Sequence, residues 1–210
     1  MKKVEHILAQ KLLAITAIKL QPDNPFTWAS GWVSPIYTDN RKILSYPGVR
    51  TFVKTEISRI ILENFGSAEA IAGVATGAIA HGALVADNLN LPYAYVRLTP
   101  KDHGLENLIE GSLKLGQKVV VIEDNISTAH SSVKVIEALR DAGCEVIGMV
   151  AIFSYGLPQA EEALRKAGVR LVSLTNFDAM VKAALDTDFI TPDDADTLMT
   201  WRRDPDNWTN

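Results

Sequence analysis

The sequence is poor in several things, and each scarcity narrows its class. It holds a single cysteine, Cys144, so no internal disulfide can form and no cysteine cluster exists to hold structural zinc. Cys144 stands between Gly143 and Glu145 before an apolar run and reads as a small, partly buried packing residue, not a reactive thiol. No apolar run approaches the ~20 residues of a bilayer-spanning helix. The start, Met1-Lys2-Lys3-Val4-Glu5-His6, leads into an amphipathic segment unlike the apolar stretch of a secretory signal. Positive charge is not in excess either: 21 Lys and Arg face 25 Asp and Glu, a net charge of −4. A general nucleic-acid surface needs a basic field, so an anionic ligand has to be held by local groups. Repeats, low-complexity tracts and long linkers are lacking as well. The expectation is a soluble, cytoplasmic chain without nucleic-acid or membrane partners.

What is present is an ordinary globular composition, 47% hydrophobic and 22% charged over 210 residues. At that length folding buries about 70% of the unfolded surface, enough for a core without disulfides. Residues 4–18 place Val4, Ile7, Leu8, Leu12, Ile15 and Ile18 on one helical face. Residues 26–45 read as two short extended pieces around Gly31. Pro47 fits the first turn of a helix reaching about Asn64, capped by Ser45 or Tyr46. Short apolar strands then alternate with helices: strand 70–75, helix 78–88, strand 92–98, a polar stretch 99–112, strand 118–122, helix 131–142, strand 145–153, helix 158–167, strand 169–174 and two closing helices. Strands without polar alternation, separated by helices, indicate an α/β fold with a parallel sheet buried on both faces. Ligands of such sheets sit at the carboxyl ends of the strands.

The most informative stretch is Val119-Val120-Val121-Ile122-Glu123-Asp124-Asn125-Ile126-Ser127-Thr128-Ala129-His130-Ser131-Ser132. An apolar strand runs into two adjacent carboxylates, then into small and hydroxyl residues that open a helix. Two acids fixed at a strand end can accept hydrogen bonds from a diol such as ribose O2 and O3, or help hold a hard cation. Small residues at a helix start leave backbone N–H groups free for a phosphate, aided by the helix dipole and by the Ser127, Thr128 and Ser131 hydroxyls. Taken singly, an acid pair is often a solvated loop and Ser-Thr-x-x-Ser an N-cap; together, directly after a Val/Ile run, they point to a phosphorylated pentose.

This pattern resembles the phosphoribosyl-pyrophosphate (PRPP) signature of the type I phosphoribosyltransferases, and the likeness to their orotate-using branch runs nearly end to end. Phe26-Thr27-Trp28-Ala29-Ser30-Gly31 with Ser34-Pro35-Ile36-Tyr37-Thr38-Asp39-Asn40-Arg41 is similar to the N-terminal hood of that family. Gly73-Val74-Ala75-Thr76 sits where it binds pyrophosphate. Leu91-Pro92-Tyr93-Ala94-Tyr95-Val96-Arg97, Lys101-Asp102-His103-Gly104 and Ile109-Glu110-Gly111 resemble its mobile loop and flanks. Ile152–Pro158 and Trp201–Pro205 through Trp208 match later blocks.

The resemblance implies one phosphoribosyltransferase domain over 1–210. About 1–45 would be the N-terminal helix and hood, about 46–175 the core sheet and about 176–210 the C-terminal helices. It implies transfer of phosphoribosyl from PRPP to orotate, giving orotidine 5′-monophosphate and pyrophosphate. It places Glu123 and Asp124 on the ribose hydroxyls within a PRPP-binding run that includes Asn125 and Ile126. Ser127, Thr128, Ala129, His130 and Ser131 would cradle the 5′-phosphate, with Ser127 also near orotate. Ala75 and Thr76 would offer backbone N–H groups to pyrophosphate, and Arg97, Lys101 and His103 would clamp it as the catalytic cations. No metal is held directly: Mg²⁺ comes with PRPP, leaving open a contact from Asp124 through water. The loop reaching a neighbouring subunit implies a homodimer.

The chain departs from the usual pattern in places. Asn125 stands at a position usually aliphatic; Ala129 and His130 replace small residues, often glycines, and a Cβ at 129 restricts positive φ. Leu98, Thr99 and Val33 stand where lysines are common, and Gly77-Ala78 has an altered order. Two rivals follow: a PRPP-binding regulator with little turnover, and a transferase for another base. Gly111–Lys118 resembles a P-loop but precedes a strand, and Ser131-x-x-Lys134 lacks companion motifs. His6 reads as lying on a wet helix face and His81 as packed in its helix. Trp28, Trp32, Trp201 and Trp208 read as packing of hood and C-terminal helices, with the hood pair alone able to stack on orotate.

Overall fold

The computed structural model describes residues 2–28, 30–99 and 108–208. The chain opens with α1 (Lys2–Ala14), which buries Leu8, Ala9, Leu12 and Leu13. The helical face expected to run on through Ile15 and Ile18 stops short. Thr16 takes a left-handed φ of 56°, and the N–H groups of Thr16 and Ala17 fold back onto the Leu13 and Leu12 carbonyls, closing the helix end. Ile18 instead begins β1 (Ile18–Leu20). Around Gly31, whose φ is 90°, β2 (Phe26–Thr27) and β3 (Val33–Ser34) form a hairpin. Next, β4 (Ile36–Thr38) returns antiparallel to β1. A 3₁₀ helix, Asn40–Ser45, leads to α2 (Pro47–Asn64). Pro47 occupies the first turn, where its missing N–H costs nothing. The N-cap is Tyr46, which makes no side-chain capping bond.

The remaining elements are β5 (Ala70–Val74), α3 (Ile79–Leu89), β6 (Tyr93–Val96), β7 (Ile109–Glu110), β8 (Lys118–Ile126), α4 (His130–Asp141), β9 (Glu145–Ser154), α5 (Pro158–Lys166), β10 (Leu171–Asn176), α6 (Phe177–Asp186) and α7 (Pro192–Arg203). Among the described residues the main sheet runs β10-β9-β8-β5-β6-β7. All its pairings are parallel except β6–β7. That antiparallel edge lies inside the stretch expected to be a loop. Its two-residue length is below any readable periodicity.

Strand β8 is longer than its apolar run. It continues through the acids because Glu123, Asn125 and Ile126 stay in register with Ala151, Phe153 and Ser154 of β9. The acidic pair therefore belongs to a rigid central strand, not to the loop after it.

Hood and core are joined by aromatics. The Trp201 indole N–H donates to the Val33 carbonyl and that of Trp28 to the Ile36 carbonyl, each at 3.0 Å. Tyr155, the residue after β9, meets Trp28 edge-on at 5.1 Å, and Trp201 meets Trp28 at 5.6 Å; such pairs add about 0.5–1.5 kcal/mol each beyond area burial. Helix α7 starts with a capping box, Thr191 and Asp194 bonding reciprocally, which fixes the segment carrying Trp201. Of the described helices, none is long and apolar enough to cross a membrane.

Candidate functional site

The carboxyl ends of β5 and β8 face a cleft of about 330 Å³ whose lining includes Thr38, Arg41, Ala75, Thr76, Asp124 and Ser131. A second cleft of about 390 Å³, lined by Trp28, Tyr37, Ser127 and Tyr155 among others, shares Thr38 and Asn125 with the first. Residues from the hood, the β5–α3 turn and the β8–α4 junction, far apart in sequence, thus converge on two adjoining spaces.

The two acids have different fates. Glu123 is 5% exposed; one carboxyl oxygen accepts the Asp124 N–H and the other the Ser132 hydroxyl, both at 3.1 Å. Burial first, then the charge of Asp124, pushes its pKa well above the usual carboxylate range. Asp124 is half-buried, and its carboxylate lies against Gly77, filling the place where a Cβ would stand. Both acids line the cleft, and Asp124 is the more exposed of the pair.

The β8–α4 junction, expected to cradle a phosphate, is built as follows. Ala129 adopts φ 62° at the N-cap of α4 despite its Cβ. Its side chain and that of Ile126 are buried, so only their backbones can face a ligand. Ser127, Thr128 and Ser131 are half-buried, and His130 is exposed on the first turn. At the β5–α3 turn the Ala75–Thr76 peptide is cis. The expected Ala75 N–H donor needs correction: that N–H already bonds the Val96 carbonyl at 2.9 Å, because pairing with β6 continues one residue past β5. The same bond sets Arg97 beside the turn, where its guanidinium lies 3.7 Å from Glu110. Lys101 and His103 lie outside the described residues.

Sequence reasoning gave no role to Arg41, which reaches the first cleft. Its guanidinium pairs with Asp39 at 2.7 Å and, chiefly through that hydrogen bond, holds the Asp39 carboxyl below its usual range. Nor did it single out Tyr155, whose wholly buried phenol is held neutral by desolvation. The only available signal was that both lie in hood and β9 blocks already matched to the family. His81 is buried as expected, its Nε2–H donating to the Asn40 carbonyl at 3.2 Å. His6 is not on a wet face; it is half-buried against α6, 3.7 Å from Asp186.

A parallel sheet ending in a carboxylate, a hydroxyl-rich helix start and a hood with a second cleft define a phosphoribosyltransferase of the type I fold. A family model described as a phosphoribosyl transferase domain matches residues 48–186. An orotate phosphoribosyltransferase of Bacteroides thetaiotaomicron is 65% identical over 99% of this chain and 98% of its own length. The crystal structure of orotate phosphoribosyltransferase from Aeropyrum pernix superposes with a TM-score of 0.75 at 29% identity, over 88% of this chain and 99% of that one. Leishmania donovani UMP synthase superposes at 0.80 with 26% identity; the match covers 95% of this chain but 42% of that longer one. The chain belongs to the orotate phosphoribosyltransferase family.

Proposed function

We propose that the chain transfers the phosphoribosyl group of PRPP to orotate, forming orotidine 5′-monophosphate and pyrophosphate in pyrimidine biosynthesis. One observation carries this reading: the acid-and-hydroxyl cleft and the aromatic-walled cleft share Thr38 and Asn125, so a sugar in one and a base in the other meet at a common wall. In the reaction the base nitrogen bonds to C1 of the sugar as the bond from C1 to the diphosphate oxygen breaks. The transition state carries positive charge on the sugar and growing negative charge on diphosphate. The protein therefore needs no covalent nucleophile, only alignment and charge neutralisation.

In this reading Asp124 accepts from the ribose hydroxyls, while Glu123 braces it from behind. Ser127, Thr128 and Ser131, with the backbone of Ala129 and His130, hold the 5′-phosphate at the start of α4. Thr76 and Arg97 flank the diphosphate, and Lys101 and His103 supply further cations. On the family resemblance, Mg²⁺ arrives on the diphosphate and keeps most of its water. Asp124 is the residue placed to meet it through water, and the ion would offset charge on the leaving group. On the family resemblance, the chain works as a homodimer whose Lys101–His103 segment serves the partner's site, with residues 1–210 as one functional unit. A cytoplasmic location fits a chain with no disulfide to maintain.

The test is the absorbance of orotate on mixing with PRPP and Mg²⁺. Loss of orotate to stoichiometric product is the expected result. Tight PRPP binding without turnover would make the chain a regulator instead, and consumption of a purine but not orotate would reassign the base.

A further inference from the structure

Asn125 stands in the wall between the two clefts. Its Nδ2 donates to Thr38 Oγ1 at 2.7 Å, and the Thr38 and Tyr155 hydroxyl oxygens are 3.0 Å apart. Its Oδ1 is shut off from water and has no hydrogen-bond partner. Counting protons shows what the trio leaves over. Thr38 Oγ1 takes one amide proton, and one hydroxyl proton bridges the two hydroxyl oxygens, whichever of them donates. The second hydroxyl proton then has no acceptor within the trio. The residues shared by the two clefts and their neighbour Tyr155 therefore hold one unmet acceptor and one unmet O–H donor, and unmet buried polar groups are costly unless something satisfies them.

We propose that Asn125 is a specificity-determining residue of the base cleft. The amide turns on binding so that its Oδ1 accepts an N–H of the incoming ring, while the spare Thr38–Tyr155 hydroxyl donates to an adjacent carbonyl. A ring with N–H next to C=O, as in a pyrimidinedione, satisfies both groups. A ring edge of bare nitrogen acceptors would set a lone pair against Oδ1. An aliphatic residue at 125 would supply neither function. Tyr155 suits the role because burial keeps its phenol protonated. The inference rests on the orotate-transfer reading and adds to it the groups that choose the base.

The experiment is steady-state kinetics of Asn125→Leu, with KM measured separately for orotate and for PRPP. Loss of one neutral hydrogen bond predicts an orotate KM raised roughly 3- to 10-fold, with the PRPP KM within about twofold of wild type. Thr38→Val, which takes a hydroxyl from the same trio, should give the same split and carries the test if the leucine variant does not fold. An unchanged orotate KM would overturn the inference alone, as would equal rises in both KM values, which would assign Asn125 to the sugar cleft. A wild-type protein that consumes no orotate would overturn the transfer reading and this inference with it.

Discussion

The side chain of Asn40 donates from Nδ2 to the backbone carbonyl of Asp124 at 2.7 Å. Asn40 is 1% exposed, and its backbone carbonyl receives the His81 ring proton. One buried residue thus ties the 3₁₀ helix at the end of the hood to the acid of the central strand through its side chain and to α3 through its backbone. Asn40→Ala should remove this bond and cost about 0.5–1.5 kcal/mol of stability, measurable by denaturant unfolding. The PRPP KM should rise in parallel, since Asp124 loses its brace. Wild-type stability in the variant would show that this bond does not hold the hood to the strand.

Gly77 has no room for a side chain, because the Asp124 carboxylate occupies the place of its Cβ. Gly77→Ala should rotate that carboxylate out of position while the sheet stays folded. We expect the PRPP KM to rise about tenfold or more, equivalent to about 1.4 kcal/mol of lost binding, with a melting temperature close to wild type. A variant with unchanged PRPP affinity would remove Asp124 from the binding of the sugar.

Ala129 holds a left-handed conformation that a Cβ disfavours by about 1–2 kcal/mol. Ala129→Gly should relieve that strain, raise stability by up to about 1 kcal/mol after the entropy of the added glycine, and lower the PRPP KM. Thermal unfolding and kinetics of the single variant check both effects. Loss of stability would mean that the Ala129 methyl packing outweighs the strain.

These three positions also show how far the sequence could be read. The parallel sheet was legible because Val119–Ile122 and its neighbours are apolar without alternation, which only a sheet buried on both faces tolerates. The strand-to-helix junction proposed as the cradle was legible because Ser127, Thr128 and Ser131 follow an acidic pair in one continuous stretch. Partnerships across long sequence separations were not. That Glu123 is turned inward to Ser132, that Ala75 spends its N–H on Val96, and that Asn40 meets Asp124 all depend on register and tertiary packing. The extension of β8 through its acids was hidden for the same reason: pairing with β9, not local propensity, keeps those residues extended.

Two buried groups should bend the stability curve in opposite senses. Burial lowers the His81 pKa below its ordinary 6.5, so the unfolded chain binds more protons and stability falls as pH drops through about 6.5. Glu123 has a raised pKa, so the folded chain binds the extra proton and stability falls as pH rises above the ordinary carboxylate value of 4.5. His81→Gln should remove the first dependence and Glu123→Gln the second, in unfolding measured from pH 4 to 9 (about the range in which these groups titrate). Slopes identical to wild type in both variants would contradict these assignments.

The most direct measurement is the electron density of crystals grown with PRPP and Mg²⁺. The ribose should lie against Asp124 and the 5′-phosphate against Ser127–Ser131 at the start of α4, with the diphosphate toward Thr76. Density for the sugar elsewhere, with residues 123–131 untouched, would contradict the proposal that this strand end and helix start grip it.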